Sequence, residues 1–267
     1  MGATHVFDEG IGLTPADDGV FTGSMHKRWW IDRGPNGGFL ASVLLNAMTQ
    51  AVADAERQPC SLTVQYVARP AEGAVEVVPQ IERVGRSMTA ITARMYQEGA
   101  LLAIGQATFS KERSGLGFSD DPMPSTPAPE DIPELPVPPE TFPPFSRQFD
   151  YRWALGDLPY TSGESALTGG WIRPKGPRPI DAVLLATYAD AWPPAVFSRL
   201  DRPHPVPTID LTVHFRSWHP PPGRDSDWCF VRFSSATAAG GFIEEDGTIW
   251  GRDGTLLAHS RQLALFG

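Results

Sequence analysis

Three polar residues in the second half of the chain, Asp190, Thr208 and Gln262, carry side chains that together could hold one water molecule. A carboxylate can take a proton from water as a general base, while a hydroxyl and a carboxamide orient the lone pairs of that water. Burial beside an apolar helix would raise the pKa of the carboxyl group toward the range in which it is a useful base. The three residues are therefore a candidate water-activating site.

Each of these residues also has a purely structural explanation. Asp190 ends an apolar helical run, so it could be a solvated carboxylate at a frayed helix end, where it opposes the helix dipole. Thr208 begins a strand, and threonine is a good strand former. Gln262 is the most informative, because its strand face is otherwise small and apolar, and a buried amide without partners costs about 1–3 kcal/mol. The residues alone leave these alternatives open.

An internal repeat helps to decide between the water-activating role and the structural explanations. The run Leu-Thr-Val-Gln-Tyr at 62–66 matches Leu-Thr-Val-His-Phe at 211–215, and residues 98–103 resemble residues 253–258, at offsets of 149 and 155. The repeat is a whole domain long, far beyond the roughly 20–50 residues of a solenoid unit. Alignment of the copies places Thr49, Pro59 and Ala107 opposite Asp190, Thr208 and Gln262. Because the first copy has a different side chain at each place, we expect that the architecture does not require the three polar residues.

Both halves run in the order strand, helix and then several strands. A turn at 34–38 opens a helix that is predicted to continue to about residue 56, and its nearly unbroken apolar character indicates that a sheet wraps around it. The second helix is predicted to begin near Pro179 and to stop at 192–194. This is an α+β pattern, with one helix and one antiparallel sheet in each half.

The strands set the domain boundaries. We predict strands at 61–68, 74–84, 88–97 and 101–110 in the first half, and at 207–217, 227–236, 241–250 and 255–266 in the second. A proline-rich stretch between them excludes a regular helix or a central strand. The predicted domains are 1–115 and 148–267, joined by an extended connector over 116–147.

Composition narrows the classes of function. The net charge of −9 and the absence of a Lys or Arg run argue against a nucleic-acid surface. No stretch approaches eighteen apolar residues, so no membrane span is expected. Two distant cysteines, Cys60 and Cys229, fit a reducing compartment, and the first thirty residues lack the apolar segment of a signal peptide, which together predict a cytoplasmic protein. The histidines lack ligand spacing, so we expect no metal site.

Specific short motifs resemble those of a known family. They are Ala-Asp at 189–190, Pro-Thr-Ile-Asp at 207–210, His-Phe-Arg at 214–216, Ser-Arg-Gln at 260–262, Asn-Gly-Gly-Phe at 36–39 and Arg-Val-Gly-Arg-Ser at 83–87. The first four resemble the acyl-CoA thioesterase II (TesB-like) family, which has a double hotdog fold, and the last two are similar to the wider thioesterase-like superfamily. In that family an Asp, a Thr or Ser, and a Gln activate the water that attacks the thioester. The resemblance implies these roles for Asp190, Thr208 and Gln262.

Thioester hydrolysis also needs hydrogen-bond donors for the developing oxyanion. The Gly37-Gly38 turn opens the most apolar helix, so its backbone N–H groups meet the positive end of the helix dipole. Without Cβ atoms these glycines let a carbonyl oxygen approach closely. The alternative is that they only make a tight turn after an Asn36 N-cap. The family resemblance implies that such a turn from one half faces the base from the other.

The sequence is thus interpreted as a cytoplasmic double-hotdog acyl-CoA thioesterase of lipid metabolism. It needs no cofactor, since CoA is part of the substrate, and we expect no nucleic-acid or membrane partner and assembly into a homo-oligomer. Two alternatives stay open. One is an acyl-CoA or lipid-binding hotdog protein without catalysis, and the other is a hotdog enoyl-CoA hydratase, which would need an Asp paired with a His or Glu.

Overall fold

A computed structural model of the chain describes residues 4–135, 140, 142–216 and 227–267. Its α-helices are α1 (Val6–Gly10), α2 (Gly37–Val52) and α3 (Ala182–Tyr188). Its strands are β1 (Thr14–Pro15), β2 (Phe21–Met25), β3 (Gln58–Tyr66), β4 (Gly73–Val84), β5 (Met88–Gln97), β6 (Ala100–Ser110), β7 (Phe149–Gly156), β8 (Leu167–Pro174), β9 (Thr208–Phe215), β10 (Cys229–Ser234), β11 (Ala238–Ala239), β12 (Phe242–Gly251) and β13 (Leu256–Leu265). The eight strands predicted in the two runs lie within three residues of observed strands, and the last residue of one of them, 217, falls outside the described residues.

The strands of the described residues form one antiparallel sheet. Its order is β1-β2-β4-β5-β6-β3-β9-β13-β12-β10-β8-β7, and the short β11 pairs with β12. The first half of the chain therefore supplies one half of the sheet, and the second half supplies the other. Each half-sheet has one helix against its inner face. The first helix, α2, packs there through its own large apolar side chains, such as Phe39 and Leu44. The predicted α+β class is confirmed.

The two half-sheets join along β3 and β9, and the junction shows the repeat in three dimensions. Thr63 pairs with Thr212 at its centre, and the hydroxyl oxygens of these two residues lie 3.0 Å apart. In β3 the neighbour opposite Leu62 on β6 is Ala107, and in β9 the neighbour opposite Leu211 on β13 is Gln262. Leu62 and Leu211 are 149 positions apart, and Ala107 and Gln262 are 155 positions apart, so strand register reproduces both offsets of the sequence repeat. The two copies are therefore related by an approximate twofold rotation.

The helices α2 and α3 cross through small and polar residues. The Ser42 hydroxyl oxygen lies 2.6 Å from the Val183 carbonyl oxygen and 2.7 Å from the Thr187 hydroxyl oxygen. A Cβ atom on Gly38 would come within 2.6 Å of the Thr187 carbonyl oxygen, so this position has no room for any other side chain. The first turn of α2 is therefore pressed directly against the end of α3.

The second helix is shorter than predicted, and this changes the alignment of the copies. The Asp181 side chain accepts a hydrogen bond from the Leu184 N–H, so α3 begins three residues after Pro179, and it ends at Tyr188. Asp190 follows the helix, with its N–H donating to the Thr187 carbonyl. When the N-caps Asn36 and Asp181 are superposed, Asp190 corresponds to Leu45. The alignment with Thr49 was wrong by one helical turn, because it matched the ends of two helices of different length.

The connector covers the outer face of the second half-sheet. The indole N–H of Trp250 donates to the Asp121 carbonyl at 3.1 Å, and that of Trp171 donates to the Pro127 carbonyl at 3.0 Å. Ile132 packs on the same aromatic cluster. An extended proline-rich segment suits this role, since it shields aromatic rings without needing sheet hydrogen bonds of its own. The domain boundaries themselves stay predictions.

Among the residues that the structure describes, no helix combines the length and the apolar character needed to cross a bilayer.

We expect Gly38→Ala to lower the free energy of unfolding by about 1–3 kcal/mol, because the added Cβ would meet backbone oxygens at the α2–α3 crossing. Helix propensity alone predicts the opposite sign, a gain of up to about 1 kcal/mol. Urea unfolding followed by circular dichroism measures the change. Gln50→Ala, at an exposed position of the same helix, is the control and should stay within about 0.5 kcal/mol of the parent. A stabilised Gly38→Ala would contradict the close crossing.

Candidate active site

The carboxylate of Asp190 is held by the N-terminus of the helix from the other half of the chain. The Asn36 side-chain amide donates to its Oδ2 atom at 2.9 Å and to its main-chain carbonyl at 2.6 Å. The Gly38 N–H donates to the same Oδ2 atom at 3.1 Å. The positive end of the α2 dipole therefore faces a carboxylate, which is the favourable orientation.

Local sequence explains why this helix end receives a carboxylate. Asn36 is the N-cap of α2, and its Oδ1 atom accepts from the Phe39 N–H at 2.9 Å, which turns its amide nitrogen toward Asp190. A Cβ on Gly37 would lie 3.0 Å from Asp190 Oδ2 and 3.2 Å from the Tyr66 hydroxyl oxygen. Glycine at this position therefore leaves the space in which the acid and the tyrosine approach the helix. The Tyr66 hydroxyl closes the turn by donating to the Gly37 carbonyl at 2.6 Å.

Asp190 has the pKa of a base that can work near neutral pH. Burial of its carboxyl group raises the pKa from 3.8 to about 6, although hydrogen bonds from Gly38, Gln262, Gly37 and Asn36 pull in the opposite direction. The desolvation of a charge thus outweighs several donors. An ordinary exposed aspartate would be too weak a base to accept a proton from water at a useful rate.

Gln262 and Thr208 form the other side of the site. The Thr208 hydroxyl donates to Gln262 Oε1 at 2.9 Å, and the amide nitrogen of Gln262 donates to Glu245 Oε1 at 2.8 Å. The amide also lies close enough to Asp190 to lower the pKa of that carboxyl group. Burial raises the pKa of Glu245 to about 7. The polar side chains thus form a continuous hydrogen-bonded series, in which both the oxygen and the nitrogen of the Gln262 amide have partners.

The structure brings all five sequence-predicted site residues together, with one unexpected feature. Asp190, Thr208 and Gln262 line the second half of the site, and Gly37 and Gly38 line the first. The N–H groups of the two glycines are directed at the Asp190 carboxylate, so they are not free in this state to receive an oxyanion.

Sequence reasoning missed Glu245 and Tyr66. Glu245 lies in an acidic run, Glu-Glu-Asp at 244–246, which is typical of an exposed strand and hides the one member that points inward. Its position opposite Gln262 on the neighbouring strand was the available signal, but it needs strand register to be read. Tyr66 ends a strand, and only the tertiary contact with the α2 turn distinguishes it from a surface tyrosine.

The place in the first half of the chain that corresponds to this site by the internal repeat lacks its polar side chains. The residues that correspond to Asp190, Thr208, Gln262 and Glu245 are Leu45, Pro59, Ala107 and Ile91, as strand pairing and helix N-caps place them. Because these side chains are apolar or carry no donor, the polar site occurs once per chain in the described residues. No group of three or more His, Cys, Asp or Glu residues is arranged to hold a metal ion there.

We expect Asp190→Asn to stabilise the protein at pH 8. The folded pKa of about 6 exceeds the unfolded value near 3.8, so the native state binds more protons between these values and stability falls as pH rises through them. The full penalty, about 3 kcal/mol at most, is present above pH 6 and absent below about pH 4. An asparagine oxygen still accepts from Asn36 and Gly38 but carries no charge.

Urea unfolding at pH 4 and pH 8 tests this expectation, with Asp201→Asn at an exposed site as the control. A gain of about 1–3 kcal/mol at pH 8 that vanishes at pH 4 is expected for Asp190→Asn. Equal effects at the two pH values would contradict the assigned burial cost.

Known proteins of similar structure and sequence support the fold. A conserved protein of unknown function with a hot dog fold from Alicyclobacillus acidocaldarius is 28% identical, with a TM-score of 0.88 and 99% coverage of both chains. An acyl-CoA thioesterase II, TesB2, from Mycobacterium marinum superposes with a TM-score of 0.79 at 24% identity, covering 97% of each chain. An uncharacterized protein of Mycobacterium tuberculosis (strain H37Rv) is 26% identical over 292 residues, covering 97% of this chain and 98% of its own. The predicted double hotdog fold is confirmed.

Family models match both halves in the order that the internal repeat predicts. The acyl-CoA thioesterase N-terminal domain matches residues 26–110, and the acyl-CoA thioesterase C-terminal domain matches residues 129–266. Together they include every residue of the site described above. The chain therefore belongs to the acyl-CoA thioesterase family, whose N-terminal and C-terminal domains it carries in tandem.

Proposed function

We propose that this protein hydrolyses fatty acyl-CoA thioesters to the free acid and CoA, with Asp190 as the general base. The observation that carries the proposal is a buried carboxyl group of raised pKa beside a Thr208–Gln262 pair, at the N-terminus of the helix from the other half. Family membership supplies the substrate class, an acyl-CoA.

The proposed reaction begins with one water placed between the three side chains. The Gln262 amide nitrogen has two hydrogens, of which one is given to Glu245 and the other faces the Asp190 carboxylate, so the second can pass to a water that enters between Gln262 and Asp190. The Thr208 hydroxyl donates to Gln262 and can accept a hydrogen bond from that water. Asp190 takes a proton as the water oxygen bonds to the thioester carbonyl carbon, which forms a tetrahedral oxyanion.

The collapse of this intermediate completes the reaction. The C–S bond breaks with its electron pair on sulfur, and the protonated Asp190 returns its proton to the departing thiolate. The products are a carboxylic acid and CoA with a free thiol, and the enzyme regains its starting protonation state. No metal or redox cofactor takes part in the proposed sequence.

In this proposal the N–H groups of Gly37 and Gly38 bind the Asp190 carboxylate first and the oxyanion afterwards. They face the Asp190 carboxylate before the reaction. When Asp190 accepts a proton, its oxygens become weaker acceptors, and negative charge appears on the carbonyl oxygen at the same time. The donors can then turn to the oxyanion, whose charge backbone N–H groups of this kind stabilise.

The alternatives differ in what they require at Asp190. A hydratase needs a second acid or base that faces the substrate, whereas the carboxyl group nearest to this role, that of Glu245, has both oxygens bound to protein donors, the Gln262 amide and the Ala195 N–H. A binding protein without catalysis gains nothing from a buried carboxylate of raised pKa, which costs stability. Both observations favour hydrolysis.

Thiol release from a series of straight-chain acyl-CoAs tests the proposed function. Asp190→Asn should lower kcat by about 10²–10⁴-fold, since it removes the general base, and Gln262→Ala and Thr208→Ala should each lower it about tenfold or more. Asp201→Asn is the control at an exposed position. Acyl-CoA binding without thiol release by the parent protein would point to the binding module, and conversion of enoyl-CoA to a hydroxyacyl-CoA would point to the hydratase.

The pH dependence gives a second test of the base. We expect kcat/KM to rise as pH increases from about 5 to 7, because Asp190 with a pKa of about 6 must be ionised to accept a proton. Stopped assays in a constant-ionic-strength buffer series measure this limb. A flat profile over this range would exclude Asp190 as the base.

A fatty acyl substrate, a cytoplasmic location and assembly into dimers or larger oligomers stay predictions. The acyl-CoA series reports the first, and light scattering of the purified chain reports the last.

A further inference from the structure

Glu245 is a buried carboxylate for which the reaction described above has no direct use. It lies on β12, directly opposite Gln262 on β13, and only 7% of its surface is exposed. Its neighbours Glu244 and Asp246 belong to the opposite, outer face of the strand. A buried charge of this kind is retained only where its partners compensate for the lost water.

The partners of Glu245 are two donors from different parts of the site. Its Oε1 atom accepts from the Gln262 amide nitrogen at 2.8 Å. Its Oε2 atom accepts from the Ala195 N–H, the first residue of a 3₁₀ helix, Ala195–Arg199. Ala195 lies five residues after Asp190, so the carboxylate joins the segment that carries the base to the strand that carries the amide.

This arrangement leaves Gln262 with one permitted orientation. Its Oε1 atom accepts from Thr208, and its amide nitrogen faces an acceptor. Above its pKa of about 7 the Glu245 carboxylate cannot donate, so a Gln262 rotated by 180° would set its oxygen against a negative oxygen and its nitrogen toward the Thr208 hydroxyl. The unrotated amide also keeps its second hydrogen directed into the site.

We infer that Glu245 is a positioning residue, which locks the Gln262 amide for water binding and ties it to the segment that bears Asp190. This inference rests on the proposed thioester hydrolysis. It assigns to Glu245 no contact with substrate or with the attacking water. The outward-pointing Glu244, which accepts from the Ala236 and Thr237 N–H groups, provides a matched control on the adjacent residue of the same strand.

The test is a double-mutant cycle in kcat, measured by thiol release from the acyl-CoA that the parent hydrolyses fastest. Glu245→Gln can satisfy only one of the two donors, so kcat should fall about ten- to a hundredfold while KM changes little. In a Gln262→Ala background the same substitution should lower kcat hardly any further, because the amide through which Glu245 acts is already absent. Glu244→Gln should leave kcat unchanged in both backgrounds.

The pH profile adds a readout that loss of folding stability alone would not move. Among the described residues, the groups that face Glu245 are the Ala195 N–H, Gln262 and Asp190, while Asp246 adjoins it on its own strand. Asp190 has a pKa of about 6 and Glu245 a pKa of about 7, so Glu245 ionises after Asp190. Parent kcat should therefore keep rising through pH 7 as Glu245 gains its charge, whereas Glu245→Gln should lack this second rise and depend on Asp190 alone.

Losses that add fully in the double variant, or a Glu245→Gln variant with parent kcat, would overturn the inference. If Glu245→Gln does not fold, the same cycle with Glu245→Asp, which shortens the side chain by one methylene, decides the matter by the same criteria. A parent chain that hydrolyses no acyl-CoA refutes the proposed function, whereas an active parent that needs Asp190 but not Glu245 refutes this inference alone.

Discussion

The meeting of a carboxylate with the first turn of a helix from the other half of the chain organises this molecule. Asp190 carries a charge in a place where burial disfavours it, and Asn36 and Gly38 supply the hydrogen bonds that make the charge tolerable. That contact is only possible if α2 and α3 approach until backbone touches backbone, which requires the absence of a side chain at Gly38. The close crossing of the helices and the chemistry of the site are thus one constraint.

Duplication of the hotdog unit makes the asymmetry of the site informative. The central pair of strands preserves the approximate twofold rotation down to the contact between Thr63 and Thr212. One of the two equivalent positions concentrates polar groups, and the other is filled by apolar side chains such as Leu45 and Ile91. Two polar sites of this kind would each bury charge at a cost of several kcal/mol, so a single elaborated site preserves stability.

The polar side chains beyond Asp190 show how such a charge is kept in place. From Thr208 through Gln262 to Glu245 and the Ala195 N–H, each group in the series has a partner of the complementary kind. Fully satisfied polar networks are rigid, because any rotation leaves a buried donor or acceptor unpaired. The sheet supplies the rigid support: Gln262 and Glu245 lie opposite each other on adjacent strands, where ladder hydrogen bonds hold their backbones.

Local patterns in the sequence determined the α+β class, the repeat and nearly all strand positions, because alternation and turn chemistry act over a few residues. The comparison of copies also selected Asp190, Thr208 and Gln262, since polar residues in apolar strand or helix contexts stand out without any structure. The structure shows that α3 starts at the Asp181 N-cap, which shortens it relative to the prediction. Tertiary structure alone decided the capture of the Gly38 N–H by Asp190 and the inward direction of Glu245. The first contact joins residues 152 positions apart across the helix crossing, and the second depends on the register of Glu245 with Gln262 on the next strand, so no local pattern encodes either.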